Sequence, residues 1–188
     1  MEIFSLKQGG GPLIISVPHA GTQVPEEIAA GFTPLARALP DTDWHVDRLY
    51  ADFAARAGVT LIRANYSRYV IDLNRPPDDA PLYPGQAKIP LCPDKTFDGQ
   101  DIYQDGTAPD AKETARRLTQ YWQPYHAALA AEIARVRALH GHAVLYDAHS
   151  IRSEIPRLFE GRLPDLNLGT AGGKSCAPAL AQAAFAPA

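Results

Sequence analysis

Two short apolar segments of this chain each run into a histidine. Leu13 to Val17 is followed by Pro18 and His19, and Ala143 to Asp147 is followed by His149. Short runs rich in Val, Ile and Leu that are bounded by turn residues predict strands buried on both faces of a parallel sheet. Open sheets of this kind bind ligands at the carboxyl ends of their strands. The sequence therefore predicts that His19 and His149 meet at one edge of a sheet.

The composition restricts the class of protein. The chain has 188 residues, of which 46% are apolar and 21% charged, and this predicts one globular domain over residues 1–188. A formal net charge of -3 leaves no surplus of Lys and Arg, so we expect no nucleic-acid partner. There is no secretory signal pattern, no membrane-length apolar run and no CxxC pair between Cys92 and Cys176. We expect a soluble, cytoplasmic protein with no membrane partner.

Further patterns predict the remaining elements of the first half. Val59 to Ala64 and Tyr69 to Leu73 are typical of two more strands. A helix is expected to start at an Asp or Thr cap near 41–43 and to end at Gly58. Helical spacing predicts that its core face carries Val46, Leu49, Phe53 and Ala57.

The second half predicts a long helix after a proline-rich segment. Seven prolines between Pro76 and Pro109 favour a long ordered loop. A helix from Ala111 to His140 follows, capped by Asp110 and ended by Gly141, with a kink or break near 121–123 because Pro124 lies inside it. Its apolar stripe comprises Leu118, Trp122, Tyr125, Leu129, Ile133 and Val136. A short helix is also predicted over Pro178 to Ala186.

The polar residues at these strand ends suit a metal. Catalytic zinc takes three protein ligands, usually imidazole or carboxylate, and leaves a fourth position open. His19, Asp47 and His149 fit that requirement, although their spacing is too dispersed to form a recognised motif. Position alone leaves Asp47 either as a solvated acid in the first turns of a helix or as a ligand. Asp147 is a candidate for a supporting residue beside the metal.

Other chemistries have weaker support. Ser150 follows His149, but the chain has no GxSxG elbow, and adjacent side chains on an extended segment point apart. Cys92 lies in the proline-rich segment without an evident partner. Arg68 and Arg75 flank the predicted strand at Tyr69 to Leu73, where an arginine is either a surface residue or a clamp for a carboxylate.

Five segments in the same order resemble the N-formylglutamate amidohydrolase family. They are VPHAG at 17–21, DWHVD at 43–47, SRYVIDLNR at 67–75, YWQPYH at 121–126 and DAHS at 147–150. The resemblance implies an α/β fold related to the zinc carboxypeptidases, a three-layer sandwich with a mixed, largely parallel sheet. It also implies one Zn2+ ion, or another divalent metal, at His19, Asp47 and His149.

The same resemblance implies a substrate and a reaction. The family's deformylases hydrolyse N-formyl-L-glutamate to L-glutamate and formate in histidine degradation, and Asn74, Arg75 and Arg68 match positions that bind the carboxylates of this small dicarboxylate substrate. His126, beside the apolar stripe, is either structural or part of the substrate site. The general base of the related enzymes is a late glutamate with no counterpart here, so we expect it beyond residue 188, with the domain lacking a C-terminal segment.

The sequence leaves two alternatives open. One is a hydrolase of another N-acyl amino acid. The other is a truncated member of the family that binds a metal or a dicarboxylate without turnover.

Overall fold

The protein is described from a computed structural model that covers residues 2–80 and 89–185. The chain divides into two compact units, residues 1–151 and 152–188. The first contains the sheet, the two long helices and all the site residues predicted from the sequence. Part of the predicted proline-rich loop, residues 81–88, lies outside the described residues.

A four-stranded sheet with the order β1-β3-β2-β4 forms the centre of the first unit. Strands β2 (Leu13–Val17), β3 (Thr60–Ala64) and β4 (Val144–Asp147) are mutually parallel, whereas β1 (Phe4–Lys7) runs antiparallel to β3 at the edge. The predicted mixed, largely parallel sheet is therefore confirmed. Strand β1 was missed because three of its residues are only partly buried, Lys7 is exposed, and the four show no clear alternation.

The middle strand β2 separates two apolar layers. Ile14 packs in a large cluster with the long helix of the second half, whereas Ile15 and Val17 pack with Val46 on the opposite face. Successive residues of a strand point to opposite faces, so a continuous apolar run is what a strand covered on both sides requires. Burying each of these side chains contributes about 1.5–3 kcal/mol.

Helix α2 (Val46–Ala57) covers the face of the sheet that carries Ile15 and Val17, whereas Ile28 of the one-turn helix α1 (Glu26–Ala29) packs in the cluster on the opposite face. Helix α2 ends at Gly58 with a φ of 64°, a left-handed conformation that costs glycine little. The predicted core stripe is confirmed at Val46 but wrong at Leu49 and Phe53, which are 71% and 46% exposed. Beside Val46, the buried face carries Ala54, with Tyr50 partly buried between them.

The choice between these two faces has a local cause. Spacings of three and four both satisfy the helical period, so the sequence does not distinguish the two stripes. The Tyr50 hydroxyl lies 3.0 Å from the Tyr146 hydroxyl of β4, and the small side chain of Ala54 lets the helix approach the sheet closely. These contacts turn Leu49 toward solvent.

The long helix of the second half is interrupted as predicted. Helix α3 (Ala111–Arg117) starts at Asp110, whose Oδ1 accepts the Glu113 N–H at 2.8 Å, and α4 (Gln123–His140) ends at Gly141. Between them Leu118–Trp122 form a π-helix. Pro124 supplies no N–H for the preceding turn, so the hydrogen-bond pattern is broken there. The predicted apolar stripe is confirmed, since all six of its side chains belong to or pack against the same core cluster.

The predicted strand at Tyr69 to Leu73 is wrong. These residues lie among turns: the Val70 N–H donates to the Ser67 carbonyl at 2.9 Å, and the Asp72 N–H donates to the Leu91 carbonyl at 2.7 Å. The segment is nevertheless buried, with Val70 fully enclosed. Burial explains its apolar composition, and a short apolar run does not by itself indicate sheet pairing.

In the described part of the second unit, residues 152–185, the chain forms helix α5 (Pro178–Phe185). The helix predicted there is confirmed to Phe185, and Ala186 lies outside the described residues. Within residues 2–80 and 89–185, no helix has the length and apolar character needed to cross a membrane.

Candidate metal centre

The two histidines at the strand ends lie against each other. His19 follows β2 and is almost completely buried, and His149 follows β4, the neighbouring strand. The centroids of their rings are 4.8 Å apart. The parallel pairing of β2 and β4 carries both strands to the same edge of the sheet, which is the convergence predicted from the sequence.

Asp43 is the carboxylate that faces both of these imidazoles. Its Oδ2 lies 3.0 Å from Nδ1 of His149 and 3.8 Å from Nδ1 of His19. A backbone hydrogen bond of 3.0 Å from the Asp43 N–H to the His19 carbonyl fixes the loop beside the end of β2. His19, Asp43 and His149 each offer one ligand atom, and these atoms lie within 4.8 Å of one another.

Asp47, the carboxylate favoured by the resemblance, lies elsewhere in the first turn of α2. Its Oδ2 accepts a hydrogen bond of 2.8 Å from Nη1 of Arg63, and its side chain is partly exposed. The structure therefore places Asp47 in an ion pair and does not bring it into the cluster. The sequence offered Asp43 and Asp47 four residues apart, and the start of the helix between them separates their environments.

The far nitrogen of each imidazole is bound to a second carboxylate. Nε2 of His19 lies 2.7 Å from Oδ1 of Asp72, and Nε2 of His149 lies 3.0 Å from Oδ2 of Asp147. A carboxylate that is ionised can only accept, so both Nε2 atoms donate. The two Nδ1 atoms then face Asp43. Metal-binding histidines characteristically have this arrangement, with a carboxylate on the nitrogen that does not bind the metal.

The charges around the cluster favour a bound cation. Burial lowers the pKa of His19, with the nearby Arg68 guanidinium adding to the effect. Burial acts in the same direction on His149, but its hydrogen bonds to Asp147 and Asp43 outweigh it and raise the pKa of this imidazole to about 9. Burial would raise the pKa of Asp72, yet Arg68 and His19 hold it well below its usual range. Three carboxylates, of Asp43, Asp72 and Asp147, thus lie against the two imidazoles.

The cluster has suitable dimensions for zinc. A tetrahedral zinc ion with bonds of about 2.0–2.1 Å keeps its ligand atoms about 3.3 Å apart. The separations from Asp43 Oδ2, 3.0 and 3.8 Å, bracket that value, and all three ligand atoms lie within 4.8 Å of one another, so an ion would have to draw them slightly closer together. Two imidazoles and one carboxylate also form a ligand set found in catalytic zinc sites.

The four residues predicted to bind substrate lie on or against the segment 68–75. Arg68 is buried and donates from Nη2 to Oδ2 of Asp72 at 2.6 Å, with its guanidinium 4.7 Å from the centre of the Phe97 ring. Asn74 is exposed, and its Nδ2 lies 3.2 Å from Nε2 of His149. Asn74 is therefore the member of the set that reaches the cluster directly.

Arg75 and His126 are both hydrogen-bonded to the backbone of this segment. Arg75 donates from Nη1 to the Asn74 carbonyl at 2.7 Å. His126 projects from α4 and has its Nε2 2.9 Å from the Leu73 carbonyl, while its ring stacks on Trp122 with centroids 3.8 Å apart. Trp122 in turn donates to the Arg75 carbonyl at 2.9 Å. Helix α4 thus supports the segment that carries Asn74 and Arg75.

Asp43 and Asp72 are the residues of the cluster that sequence reasoning missed as site residues. Both are acids with almost no exposure to solvent. Acids that are fully buried are rare unless they are paired, but burial is not visible in the sequence. The signal that could have indicated Asp72 is its position after an apolar run, next to Asn74 and Arg75.

The fold and the cluster together define an α/β protein with a histidine–aspartate candidate metal centre at the carboxyl edge of a largely parallel sheet. The sequence profile of the N-formylglutamate amidohydrolase family matches residues 11–188, and the chain belongs to this family.

Two relatives are curated as N-formylglutamate deformylase. The protein from Pseudomonas aeruginosa is 55% identical over 180 residues, and the one from Pseudomonas putida is 51% identical over 181 residues. In each case the match covers 96% of this chain and 67% of the relative. The chain therefore spans about two thirds of the length of these relatives.

Solved structures share the fold. The N-formylglutamate amidohydrolase from Ralstonia eutropha superposes with a TM-score of 0.80 at 28% identity, over 97% of this chain and 71% of that protein. A gene product from Agrobacterium tumefaciens superposes with a TM-score of 0.67 at 21% identity, over 85% of this chain and 61% of that protein. The second likeness concerns the fold alone.

Proposed function

We propose that the protein hydrolyses N-formyl-L-glutamate to L-glutamate and formate with one zinc ion held by His19, Asp43 and His149. The observation that carries the proposal is the shared carboxylate oxygen, Oδ2 of Asp43, facing Nδ1 of both imidazoles at 3.0 and 3.8 Å. The family and the names of the two Pseudomonas relatives support the choice of substrate. By the same relationship we assign the reaction to histidine degradation in the cytoplasm.

The chain's own groups would prepare the centre for the ion. When bound, zinc supplies a Lewis acid that polarises a carbonyl and makes water nucleophilic near neutral pH. Asp72 and Asp147 retain the Nε2 protons of the two histidines, so each ring presents Nδ1 as the ligand atom. Asp43 adds one negative charge, which offsets part of the charge of a divalent ion.

The substrate's carboxylates would be bound by the segment after Asp72. Arginine can donate two parallel hydrogen bonds to a carboxylate, and Asn74 places an amide beside His149. Arg68 is the least exposed of the predicted clamps and is already paired with Asp72, so we propose that Arg75 and Asn74 make the first contacts. His126 supports them through the Leu73 carbonyl.

We assign no general base among Asp43, Asp72 and Asp147. Asp72 and Asp147 each accept a hydrogen bond from an imidazole N–H, and Asp43 is assigned to the ion. Proton transfer from water requires a group within hydrogen-bond reach that is not committed in this way. The catalytic acid–base residue therefore stays unassigned.

Formate release from N-formyl-L-glutamate tests the proposal. Activity should disappear after treatment with a chelator and return when zinc is added. N-acetyl- and N-succinyl-L-glutamate, assayed in parallel, test for another N-acyl substrate. Zinc binding without turnover of any of these compounds would favour a binding protein over an enzyme, and activity that survives complete removal of metal would contradict the proposed centre.

Two matched variants separate the possible carboxylate ligands. Loss of a residue that only hydrogen-bonds to a metal ligand typically reduces metal affinity ~10–100-fold. Asp43→Asn should reduce zinc affinity by more than this, because it removes a direct ligand. Asp47→Asn should leave zinc affinity within about threefold, since this carboxylate is engaged by Arg63. Zinc titration with a chromophoric chelator measures both, and the reverse ranking would restore Asp47 as the ligand.

A further inference from the structure

A buried serine interrupts the otherwise apolar strand β2. Ser16 is 2% exposed and is the cross-strand partner of Asp147 on β4. Its Oγ lies 2.6 Å from Oδ1 of Asp147 and 3.0 Å from the hydroxyl of Tyr125, which is itself buried and projects from α4. These contacts connect the core helix to the carboxylate that holds His149.

The direction of the protons in this chain follows from the chemistry of the groups. An ionised carboxylate only accepts, so the single Ser16 proton is donated to Asp147. Ser16 must then accept from Tyr125. Burial raises the pKa of Tyr125, so its hydroxyl stays protonated and available as a donor. We call this chain of hydrogen-bonded side chains, from Tyr125 through Ser16 to Asp147, the hydroxyl relay.

Asp147 needs such support more than Asp72 does. The side chain of Asp147 is 38% exposed and lies on the edge strand β4, whereas that of Asp72 is fully enclosed. Asp72 is fixed by Arg68 and by the Asn74 N–H at 2.9 Å. For Asp147 the contact that comes from the protein interior is the Ser16 hydroxyl.

The orientation of His149 depends on that contact. Asn74 Nδ2 lies 3.2 Å from the same Nε2 that lies 3.0 Å from Asp147. Nε2 cannot both donate to a carboxylate and accept from an amide, and the shorter, charge-assisted bond is the stronger one. If the Asp147 carboxylate rotated away, Nε2 would be left to the Asn74 amide. In the neutral ring the lone pair would then lie on Nε2, and Nδ1, which faces Asp43, would carry the proton and could not bind a metal.

We propose that Ser16 and Tyr125 are positioning residues, which fix Asp147 and through it direct Nδ1 of His149 toward the candidate metal centre. The part of this inference that concerns zinc rests on the proposed function. The part that concerns the imidazole does not, because the hydrogen bond between Asp147 of the relay and His149 is present without a metal.

Two single variants and their combination test the relay. Ser16→Ala removes the hydroxyl that holds Asp147, and zinc Kd should rise about tenfold, the lower end for loss of an outer contact. Tyr125→Phe keeps the ring and removes one bond further away, so the rise should be about threefold. Because Tyr125 acts only through Ser16, the double variant should match Ser16→Ala within about twofold. Multiplied effects of the two substitutions would overturn the relay.

A second measurement needs no metal. In protein labelled with 15N-histidine, the proton on Nε2 of His149 should exchange with water about tenfold faster in Ser16→Ala than in the parent protein, because the Asp147 acceptor is released. An unchanged exchange rate would overturn the proposal. Failure of the parent protein to bind zinc would overturn the proposed function, and the exchange rates would still decide on the relay.

Tyr103→Phe is the matched control. The Tyr103 hydroxyl is also buried between two partners, since it accepts from Nη1 of Arg117 at 2.8 Å and donates to the Tyr69 carbonyl at 3.2 Å. Its loss should lower the temperature of unfolding much as Tyr125→Phe does. Zinc Kd and the Nε2 exchange rate should stay within about twofold of the parent values. Equal effects of the two tyrosine variants on zinc would mean that general loosening, and not the relay, is responsible.

Discussion

Asp72 connects the stability of the fold to the candidate metal centre. Its side chain has no exposure to solvent, and it accepts from Nε2 of His19 at 2.7 Å, from Nη2 of Arg68 at 2.6 Å and from the Asn74 N–H at 2.9 Å. Asp72→Asn removes the negative charge while preserving shape and volume. The guanidinium of Arg68, which is 6% exposed, would then remain buried without its carboxylate.

The expected magnitudes follow from these contacts. Removing one partner of a buried ion pair costs about 3–5 kcal/mol, because the other charge is left unpaired. For a chain of this size, a loss of that order lowers the temperature of unfolding by roughly 6–20 °C. Zinc affinity should fall ~10–100-fold, since the imidazole of His19 loses the acceptor that orients it.

Glu113→Gln separates the two effects. Glu113 is the carboxylate partner of Arg117, whose side chain is 4% exposed, through a bond of 2.8 Å to Nε. Both variants remove the charge that neutralises a buried arginine, but only Asp72 also binds an imidazole of the cluster.

Denaturant unfolding and zinc titration of both proteins measure the comparison. Asp72→Asn should lose about 3–5 kcal/mol of stability, and Glu113→Gln should lose at most about 3 kcal/mol, because water can partly reach Glu113. Zinc affinity should fall only in Asp72→Asn. The reasoning fails if the two variants affect zinc equally, or if Asp72→Asn unfolds at the same denaturant concentration as the parent protein.

Two further outcomes test the ion pair and the turn after β2. Hydrogen bonds from Arg116 and Arg117 hold the pKa of Glu113 at about 2, even though partial burial opposes the shift. The stability that Glu113 contributes to the fold is therefore complete above pH ~4.5 and is lost as the pH falls toward 2. The difference in free energy of unfolding between the parent and Glu113→Gln, at most about 3 kcal/mol, should therefore shrink between pH 6 and pH 3, and a constant difference would contradict this account. At Gly21 an added Cβ would lie 2.3 Å from the Tyr66 carbonyl oxygen, so Gly21→Ala should cost about 1–3 kcal/mol in denaturant unfolding. Gly10→Ala, where an added Cβ would have no atom within 4 Å, is its control, and equal stability of the two variants would refute the close approach.

Much of the fold was predictable from local patterns. Strand β2 occupies the predicted residues, and the π-helix at Leu118–Trp122 confirms the break expected from Pro124. Each of these predictions rests on the chemistry of one segment: an apolar run without alternation, or a residue without an N–H. The antiparallel strand β1 carried no such signal and was missed.

The errors concern segments whose partners are distant in sequence. The apolar run at Tyr69 to Leu73 was interpreted as a strand, but it is buried among turns and pairs through Asp72 with Leu91. In α2 the predicted face placed Leu49 in the core, whereas Tyr50 faces Tyr146 of β4. A helical or apolar pattern predicts that a segment is buried. Which of its side chains are buried, and whether its backbone forms a strand or turns, depends on the neighbour that covers it.

The site shows the same division. Two histidines after apolar runs could be expected to meet, because parallel strands end at one edge, and the structure brings them together. The carboxylate that faces both histidines could not be predicted in the same way, since the sequence does not distinguish the side chains of Asp43, Asp47, Asp72 and Asp147. Their roles differ through burial and through which nitrogen of which ring each one faces.

The sequence by itself determined the class of fold, the choice of His19 and His149 as candidate ligands, and the segments that carry the charged residues. It could do so because strand burial and turn chemistry are properties of short stretches of chain. Only the tertiary structure decided that Asp43 lies between His19 and His149, while Asp47 pairs with Arg63. The tertiary structure also placed Asp72 and Asp147 at the Nε2 atoms of His19 and His149, and it connected Asp147 to the core through Ser16. The physical reason is that carboxylates are distinguished by their neighbours, and those neighbours come from strands and helices far apart in the chain.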